Sequence, residues 1–348
     1  MVKYSVTLHS ETYNKVKTNL TKLKQKPGVY LQKYLHDQDL SKLDPQKYLE
    51  LLMQTKIPQI FAESSVHGDG SDWTQIELQI LGDISICMPV EIYDDGKHFS
   101  PNIHEKPFNG YLLYTPGALL RNGQNNTPTD YEEIIKGDKI NSPAYCELYK
   151  RRLLPVFTYA NNICKNTQQQ AFITIPGLGC GQFAGSFMGK LGLELQKALI
   201  ELLQNHGDKF PNIKAVYYDP YRECENERHE INGISFFVRP LVKGNENKPQ
   251  LCSPETYEEQ DDNFSDCKLF SVVAWDHVSW PGNDFYIGSR STDDGVKAAA
   301  TNTMEVMTGV KGKYNMSQNK YNPPSKYRTW NEVAINRKIV INKNLIVI

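Results

Sequence analysis

Two spacings of apolar residues alternate along the 348-residue chain, and together they predict strands interleaved with helices. Short runs rich in β-branched and aromatic residues stand at 171–175 (AFITI), 213–220 (IKAVYYDP), 234–241 (ISFFVRPL) and 269–275 (LFSVVAW). Each predicts a buried strand. Residues 110–123 (GYLLYTPGALLRNG) predict another, ending at Thr115-Pro116-Gly117, and 73–93 clusters its apolar residues as two paired strands would. Asp94-Asp95-Gly96 follows as a turn signal. Three- and four-residue spacing predicts helices over 41–54, 143–166, 186–205 and 293–308. Residues 309–332, rich in Lys, Asn, Tyr and Pro, predict loop, and the closing KIVINKNLIVI reads as strand.

This alternation predicts an α/β fold in which helices sandwich a mixed, mostly parallel sheet. Residues 1–70 read as a mostly helical extension or cap. The core is expected over 71–310, with 311–348 as a loop and terminal strand completing it. Such sheets bind ligands beyond the carboxyl ends of their strands. Composition narrows the function classes. A formal net charge of −1 and the lack of a basic block argue against a nucleic-acid partner. Seven scattered cysteines without a CxxC argue against a disulfide framework or a structural zinc site and suggest a reducing compartment. No apolar run reaches membrane-spanning length, and the first residues lack the apolar stretch of a secretory signal.

The stretch IPGLGCGQFAG (175–185) lies between the 171–175 strand and the 186–205 helix. Glycine permits positive φ and leaves no Cβ in the way of a ligand. A strand, a glycine-rich turn and a helix start together offer free N–H groups to an anion, typically a diphosphate. A tight turn without a ligand is the alternative. Two familiar phosphate loops do not fit. Gly189-Lys190 is followed by Leu191 rather than Ser or Thr, and Gly177-x-Gly179 has Gln182 where a third glycine belongs.

The second informative stretch runs from Ala274 to Met304. Asp276 follows a buried strand, Asp284 stands in a loop after Pro281-Gly282-Asn283, and Asp293 and Asp294 open a helix. Carboxylates converging here can activate water, stabilise an oxocarbenium-like centre, hold a guanidinium or bind a divalent metal. One of the Asp293/Asp294 pair is expected to cap the helix or favour its dipole, and Asp284 also suits a turn. Trp275, Trp280, Phe285 and Tyr286 suit either a nucleotide pocket or core packing. His277 and Asp276, as neighbours on an extended segment, are expected to face opposite ways. Cys180 reads as a small loop residue.

These segments resemble the macrodomain family. ITIPGLGCGQFAG (173–185) is similar to the loop that holds the diphosphate of ADP-ribose, in the form seen in its poly(ADP-ribose) glycohydrolase branch. Leu81-Gly82-Asp83-Ile84 resembles the segment whose Asp contacts the adenine amine. LLYTPGALLRNG (112–123) resembles the strand and loop near the distal ribose but lacks the usual Asn-Ala-Asn. WDHVSWPGNDFYIGSRSTDDG (275–295) resembles the macrodomain effectors of Legionella. The resemblance implies a macrodomain-type ADP-ribosylhydrolase, secreted by a bacterium and acting in the host cytosol. Its implied substrate is ADP-ribose on a protein arginine, with ubiquitin the leading carrier and a host ubiquitin-conjugating enzyme as a further partner. Asp276, Asp284 and Asp294 would carry the hydrolysis, with Asp276 or Asp284 activating water. Gly177, Gly179, Cys180, Gly181, Gln182, Phe183, Asp83, Ile84 and Trp275 would contact ADP-ribose. No cofactor or metal is expected. A reader that binds ADP-ribose without cleaving it is the alternative, as is a protein-interaction module on the same fold.

Overall fold

The computed structural model describes residues 4–21, 27–62, 66, 71–123 and 126–348. The border expected between residues 70 and 71 adjoins 67–70, which lie outside the described residues. The strands, in chain order, are β1 (Ser5–Leu8), β2 (Ser85–Asp94), β3 (Ile103–Pro116), β4 (Ile135–Lys136), β5 (Lys139–Ile140), β6 (Gln170–Pro176), β7 (Ile213–Asp219), β8 (Glu227–Ile231), β9 (Ile234–Val238), β10 (Cys267–Trp275), β11 (Lys313–Asn315), β12 (Lys320–Asn322) and β13 (Leu345–Val347). Nine of them form one sheet in the order β13-β1-β2-β3-β10-β6-β7-β9-β8. The β3-β10-β6-β7-β9 block is parallel throughout, and β2 and β8 flank it antiparallel. The α/β sandwich expected from the sequence is therefore present.

Each face of the sheet buries its own apolar cluster. On one side the helices Ser142–Thr167 and Leu191–His206 pack on Ile173, Val216 and Val272. On the other, N-terminal residues such as Val16 and Leu52 join Val273, Trp275 and Met304. Burying both faces is what makes the central strands read as continuous apolar runs. β1 takes a place in this same sheet, between β2 and β13.

Four expectations are corrected. Residues 73–93 do not pair as two strands, because Gln75–Gly82 is a helix and only Ser85–Asp94 is strand. Thr74 and Glu77 form a reciprocal capping box that fixes the helix start, a signal the apolar clustering obscured. The helix expected over 186–205 begins at Leu191, preceded by a 3-10 segment, Gln182–Phe187. Gly185 (φ +53°) and Gly189 (φ +83°) interrupt it with a left-handed backbone. The helix expected over 293–308 is two, Asp293–Ala300 and Thr303–Thr308. Thr301 between them is extended and bridges to Ile92 of β2. The loop expected over 309–332 contains the β11–β12 hairpin, and a helix starts at Trp330.

Parallel register brings several carboxyl ends to one edge. Trp275 pairs with Pro116, and Pro176 with Asp219. The chain leaves the sheet at that edge into 177–181, 220–226, 239–250 and 276–292, and residues of these segments line the site.

Candidate functional site

A cavity of about 880 Å³ opens at this edge. Its walls include Gly177, Gly179, Gly181, Gln182 and Phe183 on one side and Trp275, Asp276 and Asp294 on another. The structure thus brings the glycine loop and the acidic segment, about 100 residues apart in sequence, into one space. Phe99, 88% exposed, stands at the rim beside Lys97 and His98. Volume and lining suit a nucleotide-sized ligand.

The glycines divide by role. A Cβ on Gly179 would lie 2.7 Å from the Ala118 nitrogen, and one on Gly117 would lie 2.3 Å from the Gly179 nitrogen. Gly179 also has φ +72°. This pair lets the loop pack directly on the end of β3, and Leu120 N–H donates to the Phe183 carbonyl (2.8 Å) to fasten the same contact. Gly181 is different: a Cβ there would meet nothing within 4 Å. Its openness lies toward the cavity it lines. Contrary to the strand–turn–helix expectation, the long helix does not aim its first amides at the ligand space. Glu223 accepts the Gly192 amide (2.7 Å) and occupies that helix start. The cavity instead meets Gln182 and Phe183, which open the 3-10 segment and, as first-turn residues, have no intrahelical partner for their N–H groups. Cys180 is buried, with its thiol pKa pushed well above the usual range, first by burial and then by Glu223. It does not line the cavity, and neither do Asp83, Ile84 and Asp284.

Asp276 leaves β10 and folds back on its own loop. Oδ1 accepts from the amides of Val278 (2.7 Å) and Ser279 (2.6 Å), and Oδ2 accepts from the Ser279 hydroxyl and Asn283 Nδ2 (3.2 Å). His277 points away, fully buried, with Nε2 3.5 Å from Asp130. The opposite-face expectation for these neighbours holds.

Asp284 is also engaged internally. Oδ2 accepts from the amides of Ser291 (2.8 Å) and Thr292 (3.3 Å), and Oδ1 contacts the Thr292 hydroxyl. The same hydroxyl lies 2.7 Å from Asp294 Oδ1. Asp294 Oδ2 is buried and has no hydrogen-bond partner. Burial, together with the nearby carboxylates of Asp276 and Asp284, pushes the Asp294 carboxyl well above its ordinary range. Asp293 accepts from the Ala274 amide (2.7 Å) and pairs with Lys297 (3.1 Å). Helix capping at this end falls instead to Thr292, whose oxygen accepts the Gly295 amide.

The aromatic residues split as well. Trp275, Trp280, Phe285 and Tyr286 are all core residues, and of them Trp275 alone also lines the cavity. Lys56 stacks over the Trp275 ring at 4.1 Å and donates to the His277 carbonyl (2.6 Å). Burial lowers its pKa to about 7, against the opposing pull of Asp276.

Asp83 sits in a knot of charge behind the site. It accepts from Thr12 (2.8 Å) and Arg151 (2.7 Å) and pairs with Arg152 (3.3 Å) and Lys15 (3.6 Å). Burial raises its pKa but is outweighed by these cations, so the carboxyl stays below its usual range. Ile84 is core. A Cβ on Gly82 would meet the His277 ring at 2.2 Å, so the Leu81-Gly82-Asp83-Ile84 segment has a packing reason of its own.

Sequence reading missed Thr292, Asn283, Gln250, Lys297 and Asp219. The last three form a polar chain along the cavity wall. Lys297 donates to Gln250 (2.8 Å), whose amide reaches Asp219 (3.4 Å). The position of Asp219 at the end of the 213–220 strand was the available signal. Gln250 stands in irregular structure, where the sequence offers none. Among the described residues, no helix is long and apolar enough to cross a membrane.

No curated protein matches the sequence. A family model does: that of the macrodomain effector MavL, over residues 4–327. The mixed sheet between helices, with its glycine loop at the carboxyl edge, agrees with a macrodomain-like fold. The match spans nearly the whole chain, which therefore belongs to the MavL family of macrodomain effectors.

Proposed function

We propose that the chain is an ADP-ribosylhydrolase that releases ADP-ribose from a modified arginine on a protein, with ubiquitin the leading carrier. The observation that carries this reading is the shared cavity, in which a glycine loop suited to a diphosphate faces carboxyl groups suited to a cationic leaving group. In an arginine-linked ADP-ribose these two chemistries flank the ribose whose glycosidic bond must break. The diphosphate would lie along Gly177–Phe183, with the anomeric carbon and guanidinium toward Asp276 and Asp294.

The reaction needs a water oxygen to bond the anomeric carbon while the C–N bond breaks and its electron pair leaves on the guanidine nitrogen. The water gives up a proton, and the departing guanidine takes one. Asp276 and Asp284 already accept hydrogen bonds on both oxygens, from their own loop or the turn before the helix. Asp294 alone of the three keeps an oxygen without a partner. The proton-accepting role therefore goes to Asp294, not to Asp276 or Asp284. A guanidinium entering the cavity supplies the countercharge that lets the Asp294 carboxyl ionise. Asp276 supplies fixed negative charge beside the developing oxocarbenium. Asp284 holds the turn that carries Asp294.

Family membership supports a bacterial effector, and action on a host protein in the cytosol, with a ubiquitin-conjugating enzyme as partner, follows as part of the same proposal. The test is release of free ADP-ribose from arginine-ADP-ribosylated ubiquitin by the wild type, D276N and D294N, with ADP-ribose binding measured on each. Release by the wild type, lost in both variants while binding persists, supports the reading. Binding without release by any of them makes the protein a reader.

A further inference from the structure

The hydrogen-bond inventory around Thr292 does not close with three ionised carboxylates. A hydroxyl carries one proton and two lone pairs. Thr292 Oγ1 accepts the Gly295 amide at 3.1 Å and contacts two carboxyl oxygens, Asp284 Oδ1 and Asp294 Oδ1 (2.7 Å). Its single proton satisfies one of these contacts. The other would set oxygen lone pairs against each other at hydrogen-bond distance unless a carboxyl carries a proton.

The surroundings decide which one. Asp284 receives the Ser291 and Thr292 amides on Oδ2, donors that favour a carboxylate. Asp294 receives no amide, and its Oδ2 is buried without a partner. Thr292 therefore donates to Asp284 and accepts from Asp294. A Cβ on Gly295 would fall 1.7 Å from Asp284 Oδ1, so only glycine at this position lets the carboxylate reach the hydroxyl.

We propose that Thr292 is a positioning residue that joins Asp284 to Asp294 in one hydrogen-bonded chain and so keeps a single proton stored on the cavity-facing carboxyl. The chain deepens the hydrolase reading of this site, but its own evidence is geometric. The charged and titratable groups facing Asp294 are the carboxylates of Asp276, Asp284 and Asp293, the phenols of Tyr114 and Tyr286, and the Lys297 ammonium. Three negative neighbours against one cation favour the stored proton, and a cationic ligand displaces it to solvent, which leaves a carboxylate free to take the proton of the attacking water.

Carboxyl protonation is read directly by infrared difference spectroscopy or carbon-13 NMR of aspartate-labelled protein across pH. The wild type is expected to show one protonated carboxyl at neutral pH, absent in D294N. T292S keeps the hydroxyl and should keep the signal. T292V removes the acceptor for the Asp294 proton and should weaken proton binding by about tenfold, the scale of one hydrogen bond. Absence of a protonated carboxyl in the wild type, its persistence in D294N, or a T292V titration unchanged from wild type would overturn the proposal. If T292V does not fold, the wild-type, D294N and T292S spectra still decide whether the proton resides on Asp294, and T292A replaces the valine in testing the hydroxyl. Kinetics add a separate arm. T292V should lower kcat for ADP-ribose release at near-constant KM, with T292S restoring it. A wild type that releases no ADP-ribose defeats the hydrolase reading and leaves the spectroscopic result to judge the chain.

Discussion

Asn283 and Ile60 exchange a pair of hydrogen bonds: the Ile60 amide donates to Asn283 Oδ1 (3.0 Å), and Asn283 Nδ2 donates to the Ile60 carbonyl (2.9 Å). The same Nδ2 reaches Asp276 Oδ2 at 3.2 Å. Two further bonds, Ile57 N–H to the Val278 carbonyl (2.9 Å) and Trp280 N–H to the Ile57 carbonyl (2.8 Å), extend the contact into a short bridge. The N-terminal segment thus clasps the loop that carries Asp276.

Breaking this clasp should affect stability and chemistry together. Asn283→Ala leaves the Ile60 backbone groups unpaired and removes a donor from Asp276. The expected cost is about 1–3 kcal/mol in denaturant unfolding, accompanied by a fall in ADP-ribose release larger than any loss of ADP-ribose binding. Unchanged unfolding and turnover would show that the clasp contributes neither.

Glycine substitutions should separate packing from ligand approach. Gly179→Ala combines a positive φ with a backbone clash at Ala118 and should cost roughly 2–4 kcal/mol. Gly181→Ala meets no atom. It should retain far more stability while weakening ADP-ribose affinity, read by titration calorimetry. Equal melting losses in the two variants would contradict this division.

Lys56 supplies a pH signature. Its folded pKa of about 7 lies below the unfolded 10.5. The unfolded chain therefore binds more protons between these values, and stability rises with pH across that window. Below about pH 7 both states are charged and the folded state carries the full burial cost. Lys56→Met should remove this dependence and stabilise the protein near pH 6 by on the order of a few kcal/mol. Chemical denaturation at several pH values checks the slope, and parallel curves for the two proteins would refute it.

Asp294 acts in the opposite sense. With its folded pKa well above the ordinary value, the folded state holds a proton that the unfolded chain releases above about pH 4. Stability falls as pH rises from there toward the folded value. Asp294→Asn should flatten that fall and gain stability at neutral pH while abolishing ADP-ribose release. Loss of stability at neutral pH in this variant would contradict the proton assignment.

What the sequence determined by itself is the set of central strands and the two chemical segments. Runs such as 171–175 and 269–275 are strands buried on both faces, which is why they read as continuous apolar runs. The glycine loop and Asp276 were legible because each directly follows such a strand. Periodicity failed where local chemistry outweighed it: the Thr74–Glu77 capping box made a helix of an apolar stretch that also suits a strand, and Thr301 broke a helix to meet β2. Only the tertiary structure decided how the carboxylates differ. Asp276, Asp284 and Asp294 are equivalent letters in the sequence, and their distinct roles come from donors supplied by Ser279, Asn283, Ser291 and Thr292. Hydrogen-bond geometry depends on backbone direction and loop closure, which residue types alone do not encode. Asp83 shows the same limit, since two of its three neighbours in charge, Arg151 and Arg152, lie almost 70 residues away on a helix whose packing brings them together.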